Sequence, residues 1–375
     1  MTVSPRSATP ARSPLPKRLL LLALLSACSR GAPSTITFGA AGPWQQGYGD
    51  FNKKGIELAV DEINARPERR GAPLRIVFRD DEGNGQKASR IAQQFVDSLD
   101  IVAVVGHVNS GAMVAAAQVY DGHLAAVATT ATSPALTGIS PWAFRVISSD
   151  SVNGIDIAKF AGRLGLKRAA VLYENNTYGR GLAEAFRRGF AGQVISIDPI
   201  AESGAQSFEP FVSFYKALAP DVIFVAGTDA SGLAFLKEVR RQSLAVDLMG
   251  GDGWSGLAID TVRSRGVYAG VPFTAEDQRP EARAFVASFT RKFSISPDNN
   301  AALAYDATML LYQAAMSAGV DRRKIRDYLA ARTAESAYKG VTGAIYFNPD
   351  GDPVGKSVVM TRIDHGVMRV AEASR

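Results

Sequence analysis

Apolar positions along this chain switch repeatedly between two spacings. Short runs such as Thr35–Ala40, Leu74–Phe78 and Ile101–Val105 are continuous or nearly so, as strands buried on both faces of a parallel sheet should be. Between them the spacing becomes helical. Ile56, Ala59, Val60 and Ile63 fall at i, i+3, i+4 and i+7 on one face, and Ala88, Ile91, Ala92, Phe95, Val96 and Leu99 form a second stripe. A helix over 111–120 and a short strand over Ala125–Ala128 continue the rhythm. It resumes with strand Ala169–Tyr173, helix 179–190, strand Val194–Ile197, and a helix carrying Phe211, Phe214, Tyr215 and Leu218. Strand Val222–Val225, helix 230–241 and a strand over 246–249 follow. Strands alternating with helices predict doubly wound parallel sheets covered on both faces, an α/β fold. The strands before residue 275 suit two moderate sheets better than one large one.

The last hundred residues read differently. Helices dominate from 280 to 332, with Leu303, Ala307, Leu310, Leu311 and Ala314 as the clearest stripe. The turn Asn348-Pro349-Asp350-Gly351-Asp352 precedes short strands near 357–363 and 367–371.

The start of the chain is read as an export signal. Lys17-Arg18 precede the apolar run Leu19–Leu25 and the small residues Ser26-Ala27-Cys28. That run is too short to span a bilayer. Leu25-Ser26-Ala27-Cys28 resembles a bacterial lipobox, which makes Cys28, the only cysteine, the expected site of lipid attachment. Residues 1–27 are then a lipoprotein signal peptide and 28–33 a tether. The leader also accounts for most of the charge. The chain has 42 basic and 36 acidic residues, a balance of +6, but Arg6, Arg12, Lys17 and Arg18 lie in the leader, which has no acid. Without them the balance is near neutral, and no basic run is interleaved with aromatics, so nucleic acid is not an expected partner.

The chemistry-bearing motifs are few. His107, His123 and His365 are far apart and there is no cysteine pair, so no metal and no cofactor are expected. Gly251-Asp252-Gly253-Trp254-Ser255-Gly256 matches a dinucleotide fingerprint, but it comes late in the chain and places a bulky Trp254 where a pyrophosphate must approach the backbone. No G-x-S-x-G elbow occurs around Ser255, and no Ser/His/Asp set stands out. Asp80-Asp81-Glu82 is expected to be a solvated loop at a helix N-terminus.

Read in order, several segments resemble the periplasmic leucine/isoleucine/valine-binding protein family, the solute receptors of branched-chain amino acid ABC transporters. The likeness rests on Gly42-Pro43 with Tyr48-Gly49, on Gly55-Ile56-Glu57-Leu58-Ala59-Val60-Asp61-Glu62-Ile63-Asn64-Ala65, and on Asp80-Asp81. It continues through Val105-Gly106-His107 with Ser110, Thr130-Ala131-Thr132-Ser133-Pro134-Ala135-Leu136-Thr137, Phe144-Arg145 and Tyr178-Gly179-Arg180-Gly181. Tyr305-Asp306-Ala307 and Thr342-Gly343 with Phe347 complete it, so that it spans nearly all of residues 35–370. The resemblance implies two Rossmann-like lobes joined by a three-strand hinge, the type I periplasmic binding protein fold. Lobe one would comprise 34–147 plus 275–354, and lobe two 148–274 plus 355–375. It also implies a monomeric, lipid-anchored receptor on the periplasmic side of the envelope that hands its ligand to an ABC permease and catalyses nothing.

The ligand chemistry follows from what an amino acid presents. Its carboxylate needs hydroxyl and N–H donors, best placed at a helix N-terminus. Ser110 stands before the helix at 111–120, and it resembles the carboxylate-binding serine of the family. The loop Thr130-Ala131-Thr132 matches the family's binding loop, with Thr130 expected to offer its carbonyl and Thr132 its hydroxyl and N–H. The ammonium needs an acid, and Asp252 aligns with the acidic residue of that family, one methylene shorter than the glutamate of the branched-chain type. Tyr48 and Tyr178 match aromatic pocket positions, and another pocket tyrosine is replaced near Thr228. Trp44 and Trp254 are either replacements for the vacated volume or plain loop tryptophans. Small amides and aromatic acids remain alternative ligands, and a ligand sensor or envelope regulator on the same fold is the alternative role.

Overall fold

The computed structural model describes residues 1–4, 35–65, 72–201 and 206–372. The signal segment beyond residue 4, the tether and Cys28 lie outside these. Lobe one opens with β1 (Ile36–Gly42), α1 (Gly47–Ala65), β2 (Leu74–Asp80), α2 (Gly85–Asp97), β3 (Ile101–Gly106), α3 (Ser110–Tyr120), β4 (Ala125–Ala128) and β5 (Ala143–Arg145). These strands form a parallel sheet in the order β2-β1-β3-β4-β5. Every residue of β3 is buried, as its unbroken apolar run requires. Each such buried aliphatic side chain contributes about 1.5–3 kcal/mol.

Lobe two continues with α4 (Asp150–Arg163), β6 (Arg168–Glu174), α5 (Thr177–Gly189), β7 (Gln193–Ile200), α6 (Glu209–Leu218), β8 (Val222–Ala226), α7 (Asp229–Arg241), β9 (Asp247–Gly250) and β10 (Tyr268–Val271). The chain then returns to lobe one with α8 (Pro280–Phe293), α9 (Asn299–Ala318), α10 (Arg322–Ala330) and the hairpin of β11 (Tyr338–Gly340) and β12 (Gly343–Ile345). It ends in lobe two with β13 (Val359–Asp364) and β14 (Val367–Val370), which extend that sheet in antiparallel fashion. The second sheet runs β14-β13-β10-β9-β8-β6-β7. Its parallel part, read in chain order, has the same 2-1-3-4-5 arrangement as lobe one. Each lobe is therefore one doubly wound unit with a single strand-order reversal, at β1/β3 in one and at β6/β8 in the other.

Helices from the late segment complete lobe one. Leu303, Leu310 and Leu311 of α9 join Ile36, Phe38, Ile56 and Val105 in one apolar cluster. The contact of α9 with α1 is close, and a Cβ at Gly55 would run into the carbonyl oxygen of Ala301. Phe273, Phe285 and Phe289 form a smaller cluster with Leu58. The chain crosses between the lobes three times, at 148–149, near 272 and over 354–358. Arg145, 2% exposed, ties together the segments that lead into the first and third crossings. Its Nε donates to Asp352 Oδ1 at 2.7 Å, while Nη1 donates to the carbonyls of Thr132 and Ser133 at 2.9 and 2.8 Å. One buried guanidinium thus holds the loop after β4 and the return strand in a fixed relation.

Candidate functional site

The two strand-order reversals face each other, and between them lies a cleft of about 850 Å³. Its walls are the loops at the carboxyl ends of the strands: residues 46–48, 82–85, 108–111 and 130 from lobe one, and 174–178, 228–230 and 252–253 from lobe two. That is where parallel sheets with a reversal bind ligands, because the loops diverge there and leave a crevice.

On lobe one, α3 begins at the cleft. Its capping residue Asn109 makes no side-chain cap, and Asn109 Nδ2 donates to Tyr48 Oη at 2.8 Å. The first amides of α3, Ser110 and Gly111, are left at the wall with the positive end of the helix dipole. Ser110 Oγ accepts from the amides of Thr132 and Ser133 at 3.2 and 3.1 Å. Both its lone pairs are used, so its own O–H is left to donate. Helix start and hydroxyl together form a donor site suited to a carboxylate.

On lobe two, Asp252 follows β9 and is 5% exposed. Tyr178 Oη donates to Asp252 Oδ1 at 3.1 Å and accepts from the Gly253 amide at 3.2 Å, which fixes the carboxylate. Gly179 lets α5 start hard against β6, since a Cβ there would meet the Glu174 carbonyl, and this close approach puts Tyr178 at the wall. Burial pushes the Asp252 carboxyl up to about 6, against the hydrogen bonds of Tyr178 and the local backbone. Asp150, at the start of α4, is also fully buried, and its charge lies near that of Asp252. Neither Asp150 oxygen has a full hydrogen-bond partner. Thr132 and Asn153 lie close enough to favour its charge, but not in hydrogen-bonding geometry. Burial first, and then Asp252, push the Asp150 carboxyl upward.

Glu174, at the end of β6, is fully buried and was not singled out from sequence. Its Oε1 accepts from the Thr228 amide, the Thr228 hydroxyl and Ser231 Oγ at 2.9, 2.7 and 2.7 Å, and Oε2 accepts from Asn176 at 3.1 Å. Asp229 opens α7 beside it. A charged residue at the end of an apolar strand was the available signal, since it breaks the run Ala169–Tyr173.

The structure brings Tyr48, Ser110, Thr130, Tyr178, Thr228 and Asp252 to one cleft. Other expectations fare differently. Ala131 is fully buried in the lobe-one core against Ala128 and Leu136. Thr132 is also fully buried, and its amide is occupied by Ser110, so only its hydroxyl is uncommitted. Thr228 spends both its hydroxyl and its amide on Glu174, and its role at the wall is structural. Trp44 packs on Phe78 in the lobe-one core, and Trp254 fills the space left by Gly232 and Gly250 in lobe two, so neither tryptophan takes up cleft volume. The segment from Asp252 to Ile259 forms 3₁₀ turns, not the α-helix that a dinucleotide fingerprint needs. Asp81 is not solvated. It is fully buried, with Oδ2 at 2.6 Å from His107 Nδ1 and Oδ1 accepting from the Gly83 amide, so it links the 82–85 wall to the 108–111 wall. Only Glu82 of that trio is on the cleft wall, at its rim and paired with Lys87 at 2.7 Å. Among the described residues no grouping of three or more histidine or acidic side chains could hold a metal ion.

Comparison with known proteins agrees with this geometry. A profile of periplasmic binding proteins matches residues 35–366. The leucine-, isoleucine-, valine-, threonine-, and alanine-binding protein of Pseudomonas aeruginosa is 27% identical over 333 residues, covering 86% of this chain and 88% of that one. The branched-chain amino acid transporter substrate-binding protein of Streptococcus pneumoniae, solved with isoleucine, superposes with a TM-score of 0.82 at 26% identity, over 90% of this chain and 99% of that one. A solute-binding protein from R. palustris, solved with benzoate, shares the fold with a TM-score of 0.81 at 21% identity, over 90% and 95% of the two chains. With two doubly wound lobes facing each other across a cleft and a family match over almost the whole described chain, this protein belongs to the periplasmic binding protein family and is homologous to the branched-chain amino acid binding proteins.

Proposed function

We propose that this protein is an extracytoplasmic receptor that captures a free α-amino acid between its lobes and delivers it to an ABC permease, without transforming it. One observation carries the reading. An anion-binding donor set, Ser110 with the start of α3, stands on one lobe, and a buried acid without a cationic partner, Asp252 held by Tyr178, stands on the other. A zwitterion matches both at once. An aromatic acid fits less well, because it brings no cation to the buried Asp252 carboxylate. Catalysis by a histidine is disfavoured, since both ring nitrogens of buried His107 are engaged, by Asp81 and by Tyr120. Thermal-shift screening of the purified protein against the amino acids, small amides and benzoate tests the ligand class. Stabilisation by one or more amino acids is expected, and stabilisation by benzoate alone would overturn the reading. Lipid attachment at Cys28 completes the proposal. Cys28→Ser should move the protein from the membrane to the soluble fraction, and unchanged membrane association would refute the anchor.

A further inference from the structure

The acids of the cleft exceed what a neutral amino acid needs. Four carboxylates, Glu82, Glu174, Asp229 and Asp252, line it and no basic side chain does. Glu82 is neutralised at the rim by Lys87. The other three form no ion pair among the described residues. Asp252 accounts for one ammonium. Glu174 and Asp229 remain, between β6 and α7. Glu174 accepts hydrogen bonds from Thr228, Ser231 and Asn176 and Asp229 has the backbone at the start of α7, but no cation among the described residues pairs with either. Burial and the neighbouring Glu174 both disfavour ionisation of Asp229, so a cation placed there would relieve a real electrostatic cost.

The neutral groups point the same way. Asn109 Oδ1 is a buried acceptor at the wall with no donor. Gln46 adds a further amide group, whereas the aliphatic surface amounts to Val108 and Ala230. A branched apolar side chain needs an apolar pocket, and a guanidinium or ammonium needs acceptors. A bound metal ion does not answer this need, because no described grouping could ligate one.

We infer that the ligand is an α-amino acid whose side chain ends in a second cation, with its α-ammonium against Asp252 and its side-chain cation against Asp229 and Glu174. This rests on the amino-acid reading above and names the class of amino acid.

The test is calorimetry on the purified protein with L-arginine, L-lysine, L-leucine and L-citrulline, the last being a neutral near-isostere of arginine. Arginine or lysine should bind about tenfold or more tightly than citrulline and leucine. Asp229→Asn should bring the basic amino acids down to the level of citrulline and leave citrulline unchanged, whereas Asp252→Asn should weaken all of them. If the wild-type protein binds citrulline or leucine as tightly as the basic amino acids, the inference fails and the amino-acid reading stands. An arginine preference that survives in a folded Asp229→Asn protein also overturns it. Binding of putrescine but of no amino acid removes both. Should Asp229→Asn not fold, the wild-type comparison of arginine with citrulline decides the matter alone.

Discussion

Asp252 is the residue on which the proposed chemistry turns. It is buried, it is held by Tyr178, and no cation among the described residues pairs with it. Once an ammonium sits against it, removing its charge leaves the ligand's charge desolvated and alone, which costs about 3–5 kcal/mol. Asp252→Asn should therefore weaken an amino-acid ligand by roughly two to three decades while the fold survives. Ser110→Ala removes one donor to a charged carboxylate, about 1.5–3 kcal/mol, and should cost less. Calorimetry on the two variants with one ligand checks the order. Acidity supplies a second expectation. With its carboxyl pushed up to about 6 from 3.8, the ligand-free folded protein holds the Asp252 proton more tightly than the unfolded chain does. Stability contributed by that proton is present below about pH 4 and is lost as pH rises through about 6. Ammonium binding needs the ionised form, so affinity should strengthen over the same window and level off above it. Titration calorimetry from pH 5 to pH 8 would show this, and Asp252→Asn should flatten the profile.

At the level of elements, the cleft depends on how firmly its loops are tied to the sheets. Arg145 at the end of β5 anchors the Thr132–Thr137 loop and bonds Asp352, just before the third crossing. Asp352→Ala would leave a buried guanidinium without its counter-ion, at about 3–5 kcal/mol. A lower denaturant midpoint is expected, with weaker ligand binding because the loop that abuts Ser110 loosens. Asp306 of α9 does comparable work for the late hairpin. Its carboxylate accepts from the amides of Val341 and Thr342, each at 2.8 Å, and Lys356 on the third crossing donates to the Thr342 carbonyl. The Tyr305-Asp306-Ala307 and Thr342-Gly343 motifs are therefore joints of the scaffold, remote from ligand chemistry.

For the whole molecule, the motion expected to accompany ligand capture is rotation of one lobe against the other about the three crossings. Only a ligand that binds the closed form better can shift the population toward it. Ser110 on lobe one and Asp252 on lobe two supply that difference. The lobes also touch directly beside the cleft, where Asn300 Nδ2 at the start of α9 donates to Ser255 Oγ at 3.0 Å, and Asn300 also bonds the α9 cap Asp298 at 2.9 Å. Rotation of the lobes apart would break this link, so Ser255→Ala weakens the conformation that holds it. A hydrogen bond of about 0.5–1.5 kcal/mol predicts roughly two- to tenfold faster ligand release, with little change in the stability of either lobe. Stopped-flow release measurements would check it, and small-angle scattering should show the radius of gyration falling when ligand is added to the wild-type protein.

Local order is what the sequence by itself determined. The runs Ile101–Val105 and Val222–Val225 read as strands buried on both faces, and the stripe Ile56–Ile63 as one face of a helix, because the period of apolar residues follows from backbone geometry. The 2-1-3-4-5 strand order shared by the two lobes has no such local signature, as it depends on pairings between strands far apart in the chain. The same limit applied to the site. That Ser110 and Asp252 stand at the cleft was legible through the family resemblance, which matched a hydroxyl at a helix start and an acid between two glycines at a strand end to cleft positions. Ala131 and Trp254 were not, because which way a loop side chain turns is settled by the space beneath it: for Trp254 the room left by Gly232 and Gly250, for Ala131 the small residues of the lobe-one core. Glu174 and Asp229 gained their significance only when folding set β6 beside β8 and placed two acids together at a wall with no cation to balance them.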